Sequence, residues 1–167
     1  MRRREKMSIK AGDAFPKVKL QSATDQAIAD IDTAEFFKGK RVVLFGLPGA
    51  FTPVCSATHL PSYVSNYQKL RDKGVDSIAC LSVNDAYVMQ AWGKQFELDG
   101  KVELFADGNG ALTKALGLEL DGSAVGLGSR CQRFVMSVND GVVEWVDIEE
   151  SPAACDLSHS DKVLAKL

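Results

Sequence analysis

At 167 residues, with 46% hydrophobic and 25% charged side chains, the sequence has the make-up of a globular protein, and its length suits one domain with a substantial core. A formal net charge of −2 implies no basic face and argues against a nucleic-acid partner. No apolar run approaches the roughly 20 residues that a membrane-spanning helix needs, so no membrane association is expected.

The chain opens with Arg2, Arg3, Arg4 and Lys6 ahead of Met7. Residues 1–7 read as a flexible leader to a single domain over 8–167, with Met7 an alternative start. A basic arm for a membrane or nucleic acid is the sharper reading, but it lacks aromatic support. The leader has no apolar central run, so a secretory signal is not expected. Beyond Phe15-Pro16, Val18 and Leu20 alternate with lysines as in an edge strand or hairpin arm. Asp32 or Thr33 can cap a helical turn through Phe37 that Gly39 closes. Arg41 to Leu47 is a continuous apolar, β-branched run, the pattern of a strand buried on both faces, and Pro48 ends it. Leu60, Val64, Tyr67 and Leu70 then recur at helical spacing, predicting one helix from Val54 to Lys73 that Gly74 stops.

Ser77 to Val83 predicts a second buried strand, and Asn84 or Asp85 caps a helix through about Phe96. Val102 to Phe105 reads as a third strand and Asn109 to Leu116 as a short helix ending at Gly117. Arg133 to Val138 and Val142 to Ile148 flank Asn139-Asp140-Gly141, a strong hairpin signal. Ser158 or Ser160 begins a terminal helix to Leu167. Early strands alternating with helices imply parallel pairing, and the late hairpin adds antiparallel strands. The expected fold is α/β: a thioredoxin-like arrangement, its mixed central sheet flanked by helices, with extra strands at the N-terminus.

Four cysteines stand far apart at Cys55, Cys80, Cys131 and Cys155, unlike the dense framework of a small secreted domain. A reducing, cytoplasmic setting fits them. No C-x-x-C pair occurs and the only histidines are His59 and His159, so no metal site is expected. The glycines from Gly122 to Gly128 lack a strand-to-helix context, so no nucleotide cofactor is implied either.

Cys55 is the residue best placed for chemistry. It follows Pro48-Gly49-Ala50-Phe51-Thr52-Pro53-Val54, at the foot of the predicted helix, where backbone amides and the helix dipole favour an anionic sulfur. A helix cysteine is more often a small buried hydrophobe. Two prolines stiffening the loop, the Thr52 hydroxyl and the apolar Ala50-Phe51 approach favour a reactive thiol that meets a small, weakly polar oxidant. Thr52 is positioned to donate a hydrogen bond to the sulfur or to an oxygen arriving at it. His59, one turn beyond, reads as an aid to the thiolate or as a structural hydrogen-bonding residue, the latter favoured. Trp92 and Phe96 read as helix packing.

Pro48, Thr52 and Cys55 reproduce the P-x-x-x-T-x-x-C signature of peroxiredoxins. The longer string from Pro48 through Pro61 resembles their type II, or atypical two-cysteine, branch. Ala79 to Asp85, Ala91-Trp92-Gly93 and Leu104 to Gly110 extend the likeness, which runs from Ile9 to the C-terminus. The resemblance implies a thiol peroxidase for hydrogen peroxide and small alkyl hydroperoxides, without metal, haem or flavin, acting in antioxidant defence. It assigns Cys55 as the peroxidatic thiol that becomes a sulfenic acid, Thr52 as the hydroxyl orienting the peroxide, and Pro48 as a shield against water. The family's catalytic arginine stands just before a strand aromatic, which selects Arg133 ahead of Phe134, with Arg130 as a supporting basic residue. A guanidinium there favours the thiolate and can donate to two oxygens of a transition state.

Regeneration needs a second thiol. Cys155 stands roughly where some type II members carry a resolving cysteine, in a loop whose sequence departs from theirs. Cys80 reads as a core residue, although some relatives have a cysteine there that has been considered redox-active. Cys131 shares strand parity with Arg133 and is an alternative resolver. Otherwise an external thiol, from glutathione with glutaredoxin or from thioredoxin, must act. The resemblance also suggests a homodimer through loops near the site. Two other readings stand beside the peroxidase: a disulfide reductase, disfavoured without C-x-x-C, and a redox-sensing binding protein that signals through oxidation of Cys55.

Overall fold

A computed structural model describes residues 7–167; the expected leader, apart from the exposed Met7, lies outside the described residues. Strands β1 (Lys19–Ala23) and β2 (Ile28–Asp32) form a hairpin, and Asp32 caps α1 (Thr33–Phe37) by accepting from the Ala34 N–H at 2.8 Å. The buried strand β3 (Arg41–Gly46) runs into the Pro48–Val54 loop. Next come a widened helical turn over Cys55–His59, then α2 (Leu60–Ser65) and α3 (Tyr67–Asp72). They are followed by β4 (Ser77–Ser82), α4 (Ala86–Gln95) capped by Asp85, β5 (Glu103–Ala106) and α5 (Ala111–Leu116). A small hairpin of β6 (Glu119–Asp121) and β7 (Ser129–Cys131) precedes β8 (Phe134–Asn139), β9 (Val142–Ile148) and α6 (Ser160–Lys166).

Among the described residues, seven strands make one mixed sheet in the order β2-β1-β5-β4-β3-β8-β9. The β3–β4 and β4–β5 pairs are parallel, whereas β1, β8 and β9 join antiparallel. This is the thioredoxin-like architecture with an added N-terminal hairpin. Alternation along β3 divides the core. Val43 and Phe45 face one layer with Leu60, Tyr63, Leu70 and Trp92 of α2, α3 and α4; Val42 and Leu44 face the other with Phe37 of α1 and Leu112 of α5. Each fully buried large apolar side chain contributes about 1.5–3 kcal/mol. The β8–β9 hairpin closes through Asp140 and Gly141, whose φ of 49° and 78° match a two-residue turn.

One expectation fails. The single helix over 54–73 is three pieces. Pro61 supplies no N–H and its ring would crowd the carbonyl four residues back. The turn before it is wider instead, with the Leu60 N–H reaching the Cys55 carbonyl. A second break falls at Asn66, whose Nδ2 leaves the helix surface to donate to Ser160 Oγ at 2.7 Å and Asp161 Oδ1 at 2.9 Å. The wide turn places Cys55 and His59 together under β3, and the second break ties α6 to this layer.

Candidate active site

Phe134 pairs with Gly46 across β8 and β3, so Arg133, one residue earlier, lies beside the loop that leaves β3 for Cys55. The pairing is tight: a Cβ on Gly46 would sit 2.1 Å from the Phe134 ring. The helical run begins at Pro53, and the Ser56 N–H donates to the Thr52 carbonyl at 3.0 Å, putting Cys55 in the first turn. Ahead of it Phe51 adopts a φ of 64°, a conformation that non-glycine residues rarely hold, and stays half exposed. Two side chains hold this loop. Asn84 Oδ1 accepts from the Ala50 N–H at 3.0 Å, and Arg130 Nη1 approaches the Pro48 and Val83 carbonyls at 3.5 and 3.4 Å. Gly49 permits that approach, since a Cβ there would meet Arg130 Nη1 at 2.9 Å.

Cys55 is 0% and Arg133 2% exposed, yet the guanidinium touches the sulfur: Arg133 Nη2 donates to Cys55 Sγ at 3.1 Å. The rest of its fork is also engaged. Nε and Nη2 donate to the Pro152 carbonyl at 3.1 and 3.0 Å, and Nη1 lies 2.7 Å from His59 Nδ1. An arginine has no lone pair to offer, so His59 Nδ1 must be the acceptor and the ring proton sits on Nε2. Burial, and then the charge of Arg133, hold His59 well below the usual histidine range, while hydrogen bonding to the Ser158 backbone acts in the opposite direction. His59 is thus neutral at physiological pH. Its Nε2 lies close to the Ser158 carbonyl without meeting strict hydrogen-bond geometry.

Thr52 differs from the expected donor. Its hydroxyl donates at 2.7 Å to the Gly49 carbonyl, which commits its proton and leaves its oxygen as an acceptor toward the loop. The Ser56 hydroxyl, next to Cys55, accepts from Trp92 Nε1 at 3.0 Å, so Trp92 is joined to the site as well as packed in the core.

The remaining cysteines have distinct settings. Cys80 is buried in the same layer as Cys55, and burial, followed by the charge of Cys55, raises its thiol well above the usual range. Cys131 packs in the opposite layer, and burial drives its thiol up strongly. The expected parity with Arg133 does not hold: β7 ends at Cys131, the Gln132 N–H bonds to the Leu118 carbonyl, and β8 starts afresh at Phe134. Cys155 is the half-buried one, raised chiefly by burial, and it senses the charges of both Arg133 and Cys55. Its loop is fastened at both ends. Pro152 binds Arg133, and the Ser158 N–H and hydroxyl donate to the buried Glu149 carboxylate at 2.7 and 3.0 Å.

A groove of about 710 Å³ beside β1, β2 and the start of α4 includes none of these thiols; the reactive cluster of Cys55, His59 and Arg133 is buried. Among the described residues, no three histidine, cysteine or acidic side chains gather as metal ligands, and no helix is long and apolar enough to cross a membrane. The grip of Arg133 on His59 and Pro152 and the hold of Asn84 on Ala50 escaped the sequence reading. Of these, only His59, four residues after Cys55, left a visible signal.

The redoxin family profile matches residues 10–164. Peroxiredoxin-2E, a chloroplastic protein of Arabidopsis thaliana, is 44% identical over 163 residues, which cover 95% of this chain and 69% of that protein. The chain belongs to the peroxiredoxin family. Reduced Prx3 of Vibrio vulnificus, crystallised in complex with hydrogen peroxide, superposes with a TM-score of 0.87 at 42% identity over 95% of this peroxiredoxin and 98% of that chain. A Burkholderia cenocepacia structure described as a thioredoxin reductase superposes at 0.92 with 45% identity, over 96% and 99% of the two chains.

Proposed function

We propose that this peroxiredoxin is a thiol peroxidase of the type II branch, reducing hydrogen peroxide and small alkyl hydroperoxides at Cys55. The observation that carries this is the 3.1 Å contact of a buried arginine with a buried sulfur in the first turn of a helix. That arrangement favours the anionic sulfur and holds a donor where charge develops on oxygen. The thiolate attacks the terminal peroxide oxygen; an S–O bond forms, the O–O bond breaks, and the alkoxide or hydroxide leaves with a proton as alcohol or water. Cys55 is left a sulfenic acid, two electrons oxidised. Thr52 Oγ1 can accept from the peroxide O–H, because its own proton is held by Gly49. The Vibrio vulnificus relative, described as a complex with hydrogen peroxide, supports this substrate class.

A thiol then condenses with the sulfenic acid, releasing water and forming a disulfide. We assign that thiol to Cys155, the cysteine that is not fully buried, or to an external donor from glutathione and glutaredoxin or thioredoxin. A reducing, cytoplasmic setting and a homodimer through the Phe51 side of the site belong to the same proposal; half-exposed Phe51 supports the latter. Peroxide consumption by wild type and by Cys55→Ser tests the reading. Rapid consumption lost in the variant is expected, and equal consumption by both overturns it.

A further inference from the structure

We propose that His59 is a positioning residue for the peroxide reaction, acting through Arg133 as a neutral acceptor that fixes the guanidinium against the Cys55 sulfur. The inference rests on the peroxidase reading above. Its basis is the way the fork is held. The Pro152 carbonyl grips only the Nε–Nη2 edge of Arg133, at 3.1 and 3.0 Å. A single acceptor on one edge leaves the planar group free to tilt about that contact. The second restraint is His59 Nδ1, 2.7 Å from Nη1 on the opposite edge. Between the two, Nη2 is aimed at Sγ.

The imidazole is itself fixed. Its ring lies 4.8 Å from Phe45 and 5.8 Å from Tyr63, and Phe45 and Tyr63 stack on each other at 4.0 Å. The groups that bear on its charge are Arg133 and His159, both of which disfavour the imidazolium, and the Ser158 carbonyl. The Nδ1 lone pair meets the guanidinium at 2.7 Å, and this contact is the feature the site uses. The wide turn over Cys55–His59 brings this residue under the same arginine as Cys55.

Two substitutions separate positioning from packing. In His59→Asn the side-chain oxygen can take the place of Nδ1 and keep an acceptor for Nη1, although the residue is smaller. His59→Leu fills the space and removes the acceptor. The expected result is a rate constant with hydrogen peroxide at pH 7 reduced by about 10–100-fold in the leucine variant, with its rate profile moved to higher pH, and largely restored in the asparagine variant. A packing role predicts the reverse order, because asparagine leaves a polar void. A folded leucine variant that reacts at the wild-type rate, or equal losses in both variants, overturns the proposal.

Nitrogen-15 spectra of the wild-type imidazole serve where a variant does not fold: an unprotonated Nδ1 with a protonated Nε2 is expected, and a proton on Nδ1 refutes the contact. Failure of wild type itself to react with peroxide would sink the peroxidase reading instead, while the spectra would still report on the His59–Arg133 bond.

Discussion

Replacing Arg133 with lysine keeps the positive charge and removes the fork. At 3.1 Å from Cys55 Sγ, a unit charge in a medium of effective dielectric about 20 interacts with a thiolate by about 5 kcal/mol. A lysine ammonium is a compact point charge on a flexible stem. It cannot at once meet His59 Nδ1, the Pro152 carbonyl and the sulfur, which Arg133 contacts at 2.7, 3.0 and 3.1 Å. In Arg133→Lys the Pro152 carbonyl competes for the charge and draws it away from Cys55. Loss of one preorganised donor to a developing oxyanion typically removes about 2.7–4 kcal/mol, or 10²–10³ in rate. The expected outcome is therefore a fall of about 10²–10³ in kcat/KM for hydrogen peroxide. Stopped-flow mixing of reduced protein with peroxide would measure it, with circular dichroism to confirm the fold. A rate within threefold of wild type would mean that charge alone suffices, and would refute the reasoning from the fork.

Acid should weaken the fold through His59. Its folded form resists protonation whereas the unfolded ring protonates near 6.5, so the unfolded state binds more protons below that pH. Stability is then full above about 6.5 and declines by up to about 1.4 kcal/mol per pH unit as pH falls toward the depressed folded value; urea denaturation at pH 5 to 7 should show this slope flattened in His59→Asn. Gly46→Ala drives a methyl into the Phe134 ring 2.1 Å away and should destabilise by about 1–3 kcal/mol while slowing the peroxide reaction, because Arg133 adjoins that ring. Thermal unfolding and peroxide kinetics would read both effects, and an unchanged melting temperature would contradict the packing. Native alkylation at pH 8, followed by mass spectrometry, should spare Cys80 and Cys131, whose thiols burial holds protonated, and modify Cys155 faster. Equal labelling of all three would contradict their burial.

Strands β3, β4, β8 and β9 were legible because each is a long apolar or alternating run bounded by turn residues, and the Asp140-Gly141 turn announced its hairpin. The caps of α1 and α4 were legible for the same local reason: Asp32 and Asp85 carry the hydrogen bonds that start those helices. The apolar spacing passed over two breaks: Pro61, a local signal that outweighs the helical period, and the tertiary pull on Asn66, which together divide the stripe into three helical pieces. Strands β6 and β7, three residues each, are too short to display a period. At the site, the residue types at Cys55, Thr52 and Arg133 were readable from spacing and resemblance. Thr52 donating to Gly49, His59 and Pro152 sharing the Arg133 fork, and Cys131 facing the far layer depend on contacts between distant segments or on a break in strand parity. No local rule encodes them.

Mass spectrometry of the fully reduced protein, quenched within milliseconds of adding one equivalent of hydrogen peroxide, tests the central claim most directly. The peroxidase account predicts one oxygen atom gained on Cys55, or a disulfide from Cys55 to a second thiol at later times, with Cys80 and Cys131 unoxidised. Persistence of reduced Cys55 while peroxide remains, or oxidation spread over the other cysteines first, would contradict it.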